Sequence, residues 1–259
     1  MADGGEQRAE GREPRVKSGE WRVESKDRVI VALDVDNAER AVQLVRFLRG
    51  EVGAFKVGLE LVNAAGLGVF EEIRAAGASR TFYDCKFHDI PNTVAGAARA
   101  VARLGVWMFN VHCSGGVAMM KAAKDAAWQE TALLGIEPPK VIGVTVLTSI
   151  DQQVLSDEMR VSGTVADQVV HLARLAKEAG LDGVVASPHE IELIRAACGP
   201  DFLIITPGVR PAGADAGDQK RVMTPREAIE KGADYLVIGR PITKADDPRA
   251  AARAIATEM

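Results

Sequence analysis

Eight short apolar runs, most of them rich in Val, Ile or aromatic residues, recur along this sequence with amphipathic stretches between them. They occupy residues 28–33, 54–58, 81–85, 107–112, 140–146, 182–187, 202–206 and 234–239. Short continuous runs without polar alternation are the pattern of parallel strands covered on both faces. Between them the apolar spacing changes to the helical period of about 3.6 residues. Ala38, Ala41, Val42, Val45 and Leu48 follow Asn37 as a cap and stop at Gly50. Val94, Ala97, Ala98, Val101 and Leu104 stop at Gly105, and Val165, Val169, Leu172, Ala176 and Ala179 at Gly180. Thr224-Pro225-Arg226-Glu227 has the form of a capping box with proline in the first helical position, closed by Gly232. Such alternation leaves an open doubly wound sheet or a closed barrel. A dinucleotide-binding sheet needs a glycine-rich turn after its first strand, and here Asp34-Val35-Asp36 stands in that place. The strand count favours an α/β fold of the (β/α)8 TIM-barrel type in a single domain.

A chain of 259 residues suffices for one such barrel. Residues 1–27 stand apart as a flexible charged N-terminal extension too poor in apolar side chains to offset ordering entropy, and residues 28–259 form the barrel domain. With 32 basic against 36 acidic side chains and 5% aromatic residues, the chain lacks the footprint of a nucleic-acid binder. Cys85, Cys113 and Cys198 are odd in number and widely spaced, so neither a disulfide framework nor a zinc site is expected. No apolar run reaches the roughly 18 residues of a membrane span, and the N-terminal stretch lacks the apolar core of a signal peptide. A cytoplasmic protein without membrane or nucleic-acid partners is the expectation.

Barrel active sites are built at the C-terminal ends of the strands. Read at those ends, the runs give Asp34, Lys56, Asp84-Cys85-Lys86 leading to His88-Asp89, His112, Thr145 to Ser149, Gly208-Val209-Arg210, and Gly239-Arg240-Pro241. Asp84 and Lys86 are two apart, so on an extended strand both point into the mouth while Cys85 points outward. With Lys56 on the neighbouring strand and Asp89 in the loop, an alternating Lys–Asp–Lys–Asp array results. A lysine flanked by carboxylates is held charged at neutral pH and serves as a proton donor rather than a nucleophile. The alternative is a purely structural ion-pair cluster, against which four charges gathered at strand ends weigh.

Gly208 and Gly239 permit close backbone approach after strands seven and eight, where barrels commonly bind phosphate, and Arg210 or Arg240 adds a charge-assisted grip. Residues 210–221, rich in Gly, Ala and Pro, read as a long loop of the kind that forms lids. No metal is expected: the histidines His88, His112, His171 and His189 lack ligand spacing, and two lysines among Asp34, Asp84 and Asp89 repel a cation. His88 and His112 read slightly better as structural than as site residues. The cysteines read as packed thiols.

Residues 84–93, Asp-Cys-Lys-Phe-His-Asp-Ile-Pro-Asn-Thr, resemble the D-x-K-F-H-D-I-P-N-T signature of orotidine 5′-monophosphate decarboxylases. Ala32-Leu33-Asp34, Lys56-Val57-Gly58, Val146-Leu147-Thr148-Ser149, Pro207 to Arg210, Gly217 to Arg221 and Gly239 to Ile242 match in order, so the likeness covers about residues 28–258. The spacing D-x-K-x-x-D alone also belongs to magnesium-dependent sugar-phosphate decarboxylases and aldolases; the continuation His88 to Thr93 is more specific. Cys85 in place of the usual Leu and the charged leader are the departures. The resemblance implies a homodimeric barrel that converts a nucleotide, orotidine 5′-monophosphate, to uridine 5′-monophosphate and CO₂ without cofactor or metal. It implies that Lys86 protonates C6 of the pyrimidine, that Asp84 sits against the substrate carboxylate, and that Lys56 holds the ribose and the array. Asp34 would bind ribose, Thr148 the pyrimidine edge, and Gln219, Arg240, Gly239 and Arg210 the phosphate end. Asp89 and Thr93 would reach across the dimer interface into the partner's site, and Ile90 and Asn92 of the same signature would bind substrate.

Overall fold

The computed structural model describes residues 24–211 and 223–259. Eight strands run β1 Val29–Ala32, β2 Ala54–Val57, β3 Thr81–Phe87, β4 Met108–His112, β5 Lys140–Val144, β6 Gly183–Val185, β7 Leu203–Pro207 and β8 Tyr235–Ile238. All pair in parallel with their sequence neighbours, and β8 returns to β1, closing the barrel. Between and after them lie α1 Ala38–Leu48, α2 Leu59–Ala65, α3 Val69–Ala75, α4 Pro91–Arg103 and α5 Gly116–Leu134. The second half carries α6 Val165–Glu178, α7 Ile191–Cys198, α8 Pro225–Glu230, α9 Arg240–Thr243 and α10 Pro248–Glu258. The eight apolar runs are therefore the eight strands. Ser25–Arg28 forms a 3-10 turn leading into β1, so part of the stretch expected as leader already has regular structure.

The sequence period of two sorts strand residues into an inner and an outer core. Ile30, Ala32, Ala54, Phe82, Met108, Ile142, Ile205 and Val237 pack together inside the barrel. The alternate residues, among them Val29, Val31, Phe55, Tyr83, Phe109, Val141, Ile204 and Leu236, pack outward against the helices. Filled inside and covered outside, the barrel is a rigid frame whose strand ends are fixed relative to one another.

Helix boundaries follow their side chains. The Asn37 side chain accepts from Arg40 N at 2.8 Å and starts α1. Thr224 and Glu227 form the expected capping box of α8, and Thr164 with Asp167 forms a second at α6.

The main departure from regular geometry is in β3. Tyr83 pairs with Phe109, yet the next pair is Phe87 with Val111, so Asp84, Cys85 and Lys86 face the single residue Asn110. The strand therefore extends through Phe87, beyond the end expected at Cys85, and carries a bulge of two extra residues. Lys86 sits at φ 50°, in the left-handed region that a residue with a side chain seldom occupies. Holding one there costs on the order of 1–2 kcal/mol.

Candidate active site

Inward-facing positions at the strand ends converge on a cleft of about 530 Å³ at the mouth of the barrel. Its walls differ in character. Asp34, Lys56, Asp84 and Lys86 line the side formed by β1 to β3, while Val144, Val146, Val185, Pro207 and Val237 line the side formed by β5 to β8. Arg210, Gly239 and Arg240 lie at the ends of β7 and β8 on the same cleft, and Thr148 lines it from the loop after β5.

The charged wall is a continuous chain. Asp34 Oδ1 lies 3.1 Å from Lys56 Nζ, Lys56 Nζ lies 3.2 Å from Asp84 Oδ2, and Asp84 Oδ1 lies 2.6 Å from Lys86 Nζ. Lys56 is 8% exposed, and an ammonium so deeply placed is tolerated only because each neighbour bears the opposite charge. Burial alone would lower the Lys56 pKa, but Asp84 and Asp34 overcome it and hold the amine above its ordinary value. Burial likewise pushes the Asp84 carboxyl up; Lys56 and Lys86, with hydrogen bonds from Lys86 and Asn110, outweigh that and bring it to about 2. Lys56 and Asp84, the inner pair, are thus both ionised across the neutral range. Gly58 leaves it room, since a Cβ there would stand 3.0 Å from Lys56 Nζ.

The array differs in one member from the one expected. Asp34, not Asp89, is its terminal acid within this chain. Asp89, Ile90, Asn92 and Thr93 are exposed on the loop after β3 and the first turn of α4, and none lines the cleft. Asp89 instead accepts the backbone N–H of Ile90 at 2.6 Å. Gln219 and nearly all of the expected lid at 210–221 lie outside the described residues. Arg210 is 7% exposed, its guanidinium donating to Val209 O at 2.9 Å as well as facing the cleft. Arg240 is exposed at the start of α9.

His88 and His112 do not line the cleft; their rings lie 5.5 Å apart beside the array. Burial, then the neighbouring His88 and Lys86, lowers the His112 pKa. Cys85 turns to the outer core as expected, and burial pushes the Cys85 and Cys113 thiols up to about 12, which leaves them inert.

Three residues at the site escaped the sequence reading. Glu60 on α2 and Lys244 after α9 line the cleft, and nothing in their surroundings in sequence sets them apart from ordinary helix-surface charges. Asn110 gave a signal that went unused. It is the fully buried polar member of the inward series Met108, Asn110, His112, at 1% exposure. A buried amide needs partners, and these are Asp84 and Lys86. Asn110 Nδ2 donates to Asp84 Oδ1 at 2.7 Å and Asn110 Oδ1 accepts from Lys86 N at 2.7 Å.

Comparison with known proteins points the same way as the geometry. Residues 27–255 match the family described as orotidine 5′-phosphate decarboxylase / HUMPS. The chain is 58% identical over 238 residues to the orotidine 5′-phosphate decarboxylase of Moorella thermoacetica, covering 92% of this chain and 94% of that protein. It is 52% identical over 237 residues to the enzyme of that name from Heliobacterium modesticaldum, covering 92% and 97%. A crystal structure of orotidine 5′-phosphate decarboxylase from Lactobacillus acidophilus superposes with a TM-score of 0.78 at 43% identity, covering 89% of this chain and 97% of that one. The corresponding structure from Pyrococcus horikoshii gives 0.71 at 26% identity, covering 89% and 98%.

Proposed function

This chain belongs to the orotidine 5′-phosphate decarboxylase / HUMPS family, and from that premise we infer that it is a carboxy-lyase of pyrimidine biosynthesis, converting orotidine 5′-monophosphate to uridine 5′-monophosphate and CO₂. The observation that carries this reading to the chemistry is the ion-paired chain Asp34–Lys56–Asp84–Lys86 facing an apolar wall across one cleft.

In the reaction the bond between C6 and the carboxylate breaks, CO₂ leaves, and the electron pair stays on C6. No conjugated group on the substrate accepts that pair, so the protein stabilises it with a fixed positive charge. Lys86 is that charge, and it then delivers a proton to C6; solvent restores the proton to the amine. A cation already held in place by Asp84 reorganises little as charge develops, which is where electrostatic catalysis gains most. Asp84 seats beside the substrate carboxylate, and Lys56 and Asp34 hold the ribose. Thr148 reads the pyrimidine edge, and the ring lies along Val144, Val185 and Val237. Arg210, Gly239 and Arg240, with Gln219, hold the phosphate. Binding energy gathered at that remote end offsets the cost of placing one carboxylate near another.

The protein acts as a homodimer. Asp89, Ile90, Asn92 and Thr93 serve the partner's cleft, a reading supported by their exposure here and by the 68% exposure of Ile90 at the loop tip. Its three free, buried thiols suit the reducing cytoplasm; among the described residues no helix is long and apolar enough to cross a membrane.

The test is spectroscopic: adding the protein to orotidine 5′-monophosphate removes the orotate-type absorbance, and the product co-elutes with uridine 5′-monophosphate. No absorbance change, or turnover only of pentulose or hexulose phosphates with loss on EDTA treatment, overturns the assignment in favour of the metal-dependent chemistry that shares the D-x-K-x-x-D spacing.

A further inference from the structure

The bulge that carries the reacting groups is answered by one residue. Between the pairs Tyr83–Phe109 and Phe87–Val111, β4 supplies only Asn110 opposite Asp84, Cys85 and Lys86. Asn110 bonds all three: its amide nitrogen donates to Asp84 Oδ1, its backbone carbonyl accepts from the Cys85 thiol at 3.1 Å, and its amide oxygen accepts from the Lys86 backbone N–H. It does so from below the cleft, which it does not line. We propose that Asn110 is a positioning residue for the decarboxylation, a clip that holds the β3 bulge in the one conformation that places Asp84 and Lys86 at the substrate. The proposal rests on the reading of the reaction given above.

The side-chain chemistry is restrictive. A backbone N–H only donates and an ionised carboxylate only accepts, so the residue between them must accept at one atom and donate at another. The amide orientation is thereby fixed, because the flipped form would set the amide oxygen against the Asp84 carboxylate and the amide N–H against the Lys86 N–H. Aspartate has the shape but lacks the donor, and leucine has neither function. The backbone gives the clip its purpose. Lys86 at φ 50° is off the conformations its side chain prefers, and a strained residue persists only where its surroundings over-determine it. Released from Asn110, Lys86 relaxes toward extended backbone, which redirects its Cα–Cβ bond and carries the amine away from Asp84.

Two substitutions and one measurement on the unaltered protein test this. Asn110→Ala removes the clip, and Asn110→Asp keeps its size and its acceptor while setting a second carboxylate against Asp84. Each is expected to lower kcat by about 100-fold, the scale set by an ångström of misplacement, with affinity for uridine 5′-monophosphate kept within about threefold because the phosphate and ribose contacts remain. In Asn110→Asp the acidic limb of the kcat profile moves up by about one pH unit or more, as two adjacent carboxylates share a proton. A kcat within about threefold of wild type overturns the proposal. So does a parallel fall in kcat, nucleotide affinity and folded fraction with the acidic limb unmoved, which is the signature of a packing role alone. Should neither variant fold, hydrogen exchange on the wild-type protein decides. The clip requires the Lys86 amide to be protected well beyond that of Asp89; exchange at the rate of an open loop sinks it. Wild-type turnover is followed in the same assay, and its absence removes the reading of the reaction while the amide protection still tests the clip.

Discussion

Lys86 Nζ stands 2.6 Å from Asp84 Oδ1, although the backbone between these two residues leaves the regular ladder and Lys86 takes a left-handed conformation. On a flat strand, residues two apart face the same way with their stems parallel. The bulge instead turns Lys86 toward the carboxylate, so that acid and amine meet at hydrogen-bond distance at the lip of the cleft. Lys56 takes the other oxygen of Asp84. One carboxylate thereby fixes both cations, one deep and one 29% exposed to the cleft.

Replacing Lys86 with Ala removes the proton donor and the charge that stabilises the C6 anion, so kcat/KM is expected to fall by at least about 10⁴-fold. The fold survives, since Asp84 keeps its bonds to Lys56 and Asn110. The absorbance assay measures the loss, and a thermal melt with uridine 5′-monophosphate present checks that nucleotide still binds. Near-normal turnover by this variant would remove Lys86 from the mechanism.

The depressed pKa of Asp84 makes stability depend on acid. Its carboxyl falls from an ordinary 3.8 to about 2 in the folded protein. The folded state therefore binds this proton less readily than the unfolded chain does. The stabilisation is fully present above pH 4 and is lost as pH falls through about 2, an amount on the order of 2 kcal/mol. Urea unfolding between pH 5 and 2 measures it. Asp84→Asn is less stable throughout and loses less stability across that window; equal slopes for variant and wild type would show that Asp84 is not the group responsible.

The barrel was legible because its strands are buried on both faces, so each run announces itself without help from distant partners. The strand-end charges were legible for the same reason: the fold dictates which residue of each run reaches the mouth. What sequence reading did not supply was the β3 bulge. Nothing local requires Lys86 to adopt a positive φ, for no glycine marks the place, and the conformation is imposed by Asn110 from the neighbouring strand. The same dependence on strand pairing kept Asp34 out of the expected array, which joined Asp89 to Lys86. Asp89 is nearer in sequence to Lys86, whereas Asp34 reaches Lys56 only because β1 and β2 are paired.

Close approach of β6 and β7 gives a prediction about the frame itself. A Cβ on Gly183 would lie 2.2 Å from the Leu203 carbonyl oxygen and 2.6 Å from Leu203 Cβ. A backbone atom cannot swing aside as a side chain can, so Gly183→Ala must force the two strands apart. Overpacking of this kind costs on the order of 1–3 kcal/mol or more, and a lowered midpoint of urea unfolding reports it. Because the strain lies at the opposite end of β6 from the cleft, the folded fraction keeps its turnover. A variant as stable as wild type would mean that the barrel wall yields more freely than its packing implies.

Asp89 tests the dimer reading most directly, because it is the one charged residue among those read as serving the partner's cleft. It is exposed on its own chain, does not line that chain's cleft and bonds only its neighbour's N–H in the described contacts. If it serves the partner's site, Asp89→Ala loses activity even though every member of the chain Asp34–Lys56–Asp84–Lys86 is intact. Mixing Asp89→Ala with Lys86→Ala protein then restores activity that neither has alone. In a hybrid dimer the barrel that retains Lys86 receives Asp89 from the other subunit, while the second site lacks both. Random exchange makes half the dimers hybrid, each with one working site of two, so recovery approaches about a quarter of the wild-type rate in a twofold-symmetric pair. Equilibrium sedimentation establishes the pair, and the absorbance assay follows recovery as subunits exchange. Mixtures that stay inactive after exchange is complete would return Asp89 to its own chain, as part of the loop rather than of the partner's site.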